Sequence, residues 1–175
     1  MTIIRSTLFA ACLLAGLGTA FSSIDTAAAQ GVSVRDLMEQ EQPSSAENAA
    51  RFNEGVAAYD TGDFSRAFDL WLPIAQENDL AAMRNVAILL REGKGVAKDP
   101  QRALYFFERA GRAGLVSAQV NAAFMYLNGE GTAQDYKTAS FWFHAAAIAG
   151  VPAARYNLGV LYERGLGVEQ DSARA

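Results

Sequence analysis

Residues 82–99 read AMRNVAILLREGKGVAKD, residues 118–135 read AQVNAAFMYLNGEGTAQD, and residues 154–171 read ARYNLGVLYERGLGVEQD. Set in register at a step of 36 residues, the three stretches share Ala82, Ala118 and Ala154, then Asn85, Asn121 and Asn157. They also share Gly93, Gly129 and Gly165, then Gly95, Gly131 and Gly167, then Asp99, Asp135 and Asp171. The register runs on to Ala103, Ala139 and Ala175. A period of this length marks a stacked array, in which each unit buries its apolar face against its neighbours.

Each unit reads as two helices. The first spans about 81–92, 117–128 and 153–164, and the second about 100–113 and 136–149. Glycine at 93, 129 and 165 ends the first helix, because a left-handed residue at a helix end costs glycine little. The aspartate six residues later suits the cap of the second helix, where its carboxylate accepts free backbone N–H groups. Pro100 follows at the first helical position, where its missing N–H does no harm. Ala103, Phe107 and Ala110 share one helix face, as do Ala139, Phe143 and Ala146, with Ala67, Trp71 and Ile74 as a variant. Small residues let neighbouring helices approach and the aromatic fills the space between units. A further unit precedes these, because Ala49 to Val56 matches Ala153 to Val160 closely. The pattern predicts an all-α fold of helix-turn-helix repeats over 48–175, about four units with the last incomplete.

Upstream, the chain changes character. Arg5, the apolar run from Leu8 to Phe21 and the small residues Ala27-Ala28-Ala29 read as a signal peptide over 1–29. An uncleaved anchor, or a lipoprotein modified at Cys12, are the other readings. Cleavage after Ala29 would remove the only cysteine, leaving no disulfide and no thiolate metal site. Residues 30–47 are polar and irregular and read as a flexible lead-in. The expected location is periplasmic or secreted, with no membrane contact after cleavage. Net charge is −4 with both signs mixed along the chain, so no basic stripe offers itself to nucleic acid.

The residues Ala154, Asn157, Leu158-Gly159, Tyr162, Gly165-Leu166-Gly167-Val168, Asp171 and Ala175 carry a resemblance. So do Tyr126, Gly129-Glu130-Gly131, Asp135, Ala139, Phe141-Trp142-Phe143 and Gly150. Residues 82–175 resemble the SEL-one-like repeat family, a branch of the tetratricopeptide superfamily. Residues 50–78 look more like a plain tetratricopeptide unit, through Asn53, Gly55, Tyr59, Gly62-Asp63-Phe64, Ala67 and Trp71. Alanine replaces Gly159 at Ala87 and Ala123, and Thr132 replaces the valine of Val96 and Val168. The resemblance implies a right-handed α-solenoid whose first helices line a concave face. It implies an adaptor role, and it maps a peptide-binding asparagine onto Asn53, Asn85, Asn121 and Asn157. A side-chain amide both donates and accepts, so it pairs with the main chain of an extended peptide of any sequence.

Neighbouring side chains would add selectivity: Arg84, Tyr156 and Phe124 are candidates, and a mixed apolar surface with one arginine suits a peptide with apolar anchors. Helix 153–164 lacks a full second helix over it, so Leu158, Leu161 and Tyr162 are expected to leave an apolar edge for a partner or a second copy. Catalysis has little to draw on. His144 is the only histidine, at a variable repeat position, and no phosphate loop is present. The expected function is an exported module that binds a protein or peptide in the cell envelope, without enzymatic activity, cofactor or metal. The alternatives are an envelope enzyme, such as a carboxylate-dependent cell-wall hydrolase, and a structural spacer or oligomerisation module.

Overall fold

Aspartate side chains start the second helices, at Asp99 and Asp135 as the spacing predicts and at Asp63 as well. Asp63 Oδ1 accepts the Arg66 N–H at 3.1 Å, Asp99 Oδ1 the Arg102 N–H at 3.0 Å, and Asp135 Oδ1 the Thr138 N–H at 3.1 Å. The computed structural model describes residues 45–174. Within them seven helices follow one another: α1 Ser45–Asp60, α2 Phe64–Gln76, α3 Leu80–Glu92, α4 Pro100–Arg112, α5 Val116–Asn128, α6 Tyr136–Ile148 and α7 Pro152–Arg164. No residue among them is in a strand. The expected helix limits in the three downstream units hold to within one residue. Helix α1 begins at Ser45, three residues ahead of the expected start of the repeats at 48. The leader 1–29 and residues 30–44 of the lead-in lie outside the described residues.

From α2 onward each helix packs on the next in sequence, which is the contact pattern of an α-solenoid. Phe107 and Phe143 are fully buried, with Ala103, Ala110, Ala139 and Ala146 beside them in the same core. Burying a side chain of that size contributes roughly 1.5–3 kcal/mol relative to leaving it in water. The alanines supply close approach and the aromatics supply apolar area, so the small-large-small face is a packing seam.

The paired glycines do two different things. Gly93, Gly129 and Gly165 take φ of 72°, 69° and 64° and close α3, α5 and α7. The second glycine of each pair presses on the preceding unit. A Cβ on Gly95 would lie 2.2 Å from Ser65 N, on Gly131 2.4 Å from the Pro100 carbonyl oxygen, and on Gly167 2.3 Å from the Tyr136 carbonyl carbon. Those atoms belong to the first turns of α2, α4 and α6. The sequence shows a helix stop at these positions; the structure adds a contact between repeats.

The cap of a second helix for the last unit is present after α7. The Asp171 N–H bonds the Tyr162 carbonyl at 3.1 Å, matching Asp135 on Tyr126 at 2.9 Å and Asp99 on Leu90 at 2.9 Å. Asp171 Oδ1 accepts the Ala173 N–H at 2.9 Å, so the cap is set as in the earlier units.

Candidate partner-binding groove

Helices α1 and α3 are the first helices of successive units, and Trp71 of α2 lies beneath the space between them. Residues three or four apart share a helix face, which brings Val56 and Tyr59 of α1 opposite Arg84 and Ile88 of α3. With Asn85 and Trp71 they line a cleft of about 260 Å³. Trp71 is fixed from several sides. Its Nε1–H donates to the Phe52 carbonyl at 3.1 Å, and its ring packs on Phe52 and Tyr59 with centroids 6.0 and 5.8 Å away. Gly55 makes room for it, since a Cβ there would fall 2.4 Å from Trp71 Nε1.

Arg84 is half-buried in this cleft. Its Nε and Nη2 donate to Asn85 Oδ1 at 3.3 and 3.1 Å. No carboxylate of the described residues is within ion-pairing distance of it. The Asn85 amide therefore orients a guanidinium that, among the described residues, has no charge partner, and its own N–H groups are likewise unbonded among them.

The other asparagines sit differently. Asn121 accepts from Arg91 Nη1 at 3.2 Å and donates to the Ser117 carbonyl at 2.8 Å, so both ends of its amide are engaged within the chain. Arg91 also holds Glu130 through contacts of 2.9, 2.9 and 2.6 Å, which ties α3 to the turn after α5. Asn157 donates to the Ala153 carbonyl at 2.7 Å, leaving its oxygen available. Asn53 is exposed on α1 and does not line the cleft. The asparagines thus occupy equivalent repeat positions in unequal surroundings. Phe124 is half-buried edge-on against Phe143, with centroids 5.1 Å apart, and serves packing. Tyr156 is 73% exposed and is free to meet a partner.

At the carboxyl end one expectation is corrected. Leu161 is 2% exposed, so it is a core residue and offers no contact surface. It occupies the repeat position of Leu89 and Met125, which are also buried, and the packing of α7 on α6 is enough to cover it. Leu158 and Tyr162 are half-buried against the same core. A cleft of about 450 Å³ opens beside Tyr162 and the segment 168–174. Its Asp171 and Arg174 pair with each other at 3.3 Å, so they neutralise one another there.

Titratable groups elsewhere serve the scaffold. The Tyr126 hydroxyl donates to Glu108 at 2.6 Å, and burial, reinforced by that bond, pushes its pKa up to about 12. Hydrogen bonds from Thr138 hold the Asp135 carboxyl below its ordinary value, as expected of a cap that works ionised. His144 is exposed. Among the described residues no group of three or more His, Cys, Asp or Glu side chains is placed to hold a metal ion. No described helix is long and apolar enough to cross a membrane.

Comparison with known proteins fits this architecture. The Sel1 repeat profile matches residues 80–115, 116–151 and 152–175. Among solved structures, a protective antigen of uropathogenic Escherichia coli with an SLR fold is 28% identical, with a TM-score of 0.69 over 79% of this chain and 30% of its own. A Sel1 repeat protein from Oxalobacter formigenes is 32% identical, with a TM-score of 0.63 over 70% of this chain and 50% of its own. The chain therefore spans about a third to a half of the length of these two proteins. A search of curated proteins gave no significant match. Three consecutive profile matches cover more than half of the sequence, and the helices, caps and inter-repeat glycines fall at the same step: the chain belongs to the Sel1 repeat family, whose repeats typically serve protein–protein interaction.

Proposed function

We propose that this protein is an exported interaction module that holds an extended segment of a partner protein in the groove between α1 and α3. The observation that carries the reading is the convergence of Val56, Tyr59, Ile88 and Trp71 with the polar pair Arg84 and Asn85 in one cleft. Apolar walls with a few convergent polar groups are the usual makings of a recognition site. Trp71 and Tyr59 are held by their own contacts, so little side-chain freedom is lost on binding. The leader-like residues 1–29 support an address in the periplasm or beyond.

Photo-crosslinking in intact producing cells tests the reading. A benzophenone amino acid at Val56, on the groove, is expected to trap a protein partner. The same probe at Tyr105, on the exposed face of α4, is expected to trap none. Trapping at Tyr105 and not at Val56 would move the binding surface to the second helices and sink the groove.

A further inference from the structure

We infer that the α1–α3 groove recognises an acidic side chain, a single Glu or Asp, set beside an apolar anchor within an extended peptide. The inference rests on the reading of this groove as a partner-binding surface and adds the chemistry of the occupant. Among the described residues Arg84 is the only cation lining the cleft, and no carboxylate among them lines it. It has no ion-pair partner among the described residues, and, unlike an exposed cation in open water, it is half-buried against apolar walls. Its guanidinium is aimed by Asn85 Oδ1, which takes two of its five N–H donors and leaves the rest free. A half-buried guanidinium beside Trp71, Tyr59, Val56 and Ile88 attracts a carboxylate more strongly than one in open water, because the apolar walls lower the local dielectric. The Asn85 N–H groups, unbonded among the described residues, can take a peptide carbonyl next to that carboxylate.

An internal acidic residue fits better than a chain terminus. Helices α1 and α3 line the cleft with residues beyond their first turns, whose backbone N–H groups are consumed by their own helices. A terminal carboxylate captured by backbone amides has none to use here. The chain carries net charge −4, which disfavours a run of acidic residues and suits a single one placed on Arg84.

The test is selection of random heptapeptides displayed without a free carboxyl terminus, run on the full chain and on Arg84→Gln in parallel. Selected sequences are then remade as amidated peptides and titrated by fluorescence anisotropy. The expected result is enrichment of one Glu or Asp beside an apolar residue on the parent chain. Changing that Glu to Gln should weaken binding about tenfold to the parent and less than about twofold to Arg84→Gln. Arg84→Lys keeps the charge without the fork and should retain part of the preference, and far-UV helicity of each variant checks the fold. Peptides that bind without acidic preference, and lose affinity in Val56→Gln, would overturn the carboxylate assignment and leave the groove standing. A preference confined to peptides with a free terminal carboxylate would overturn it too. Binding indifferent to both Arg84 and Val56 variants, or no selection at all, would overturn the assignment and the groove together.

Discussion

Arg91 joins two repeats through three contacts to Glu130 and one to Asn121. The hydrogen bonds from Arg91 hold the Glu130 carboxyl below its ordinary value. A carboxyl whose folded pKa is depressed adds stability that is full above its unfolded value, about 4.3, and is lost as pH falls through the folded value. Glu130→Gln should therefore cost about 1–2 kcal/mol at neutral pH and close that gap with the parent in acid. Thermal unfolding of both chains from about pH 7 to pH 3 checks this, since other carboxylates titrate alike in the two. A constant difference across the range would mean the pair contributes through packing alone. At this scale the sequence was only partly legible. The asparagines share a repeat position, but Arg91 reaches Asn121 and Arg84 reaches Asn85, and nothing in the periodicity separates those two outcomes. Leu161 was misplaced for a related reason: its burial follows from its alignment with Leu89 and Met125, and the expectation of an open edge overrode that alignment.

Helices, caps and turns were the most legible level. αL glycines and capping aspartates, repeated at a 36-residue step, set the helix limits of the three downstream units to within one residue, because stops and caps are local properties of the chain. The second glycine of each pair was legible as a repeat position but not as a contact, since its neighbour lies about thirty residues upstream, as Ser65 does from Gly95. Substitution separates the two roles. Gly62 has φ 84° and open space around it, so Gly62→Ala should cost only the backbone strain, about 1–2 kcal/mol. Gly95 has φ 68° and backbone of α2 within 2.2 Å, so Gly95→Ala must also push two repeats apart. Urea denaturation should show Gly95→Ala losing at least about 1 kcal/mol more than Gly62→Ala. Equal losses would remove the close approach as a reason for glycine at 95.

For the whole molecule, stacking against neighbours explains why the fold was readable and the partner was not. Repeat-to-repeat contacts recur and leave a period in the sequence, whereas a groove is made where the repeats differ: Arg84 stands where the later units carry Val120 and Tyr156. Export is the whole-molecule property proposed from residues 1–29. The intact mass of protein recovered from the periplasm of a Gram-negative host is expected to match a chain starting at Gln30, and a full-length cytoplasmic product would contradict export. The central claim is that a partner segment lies between α1 and α3. Site-resolved amide shifts on titrating the labelled chain with a selected heptapeptide test it most directly. The account predicts the largest shifts at Val56, Tyr59, Arg84, Asn85, Ile88 and the Trp71 indole. Shifts centred instead on Tyr105, Phe141 and Ile148, on the exposed faces of α4 and α6, would contradict it.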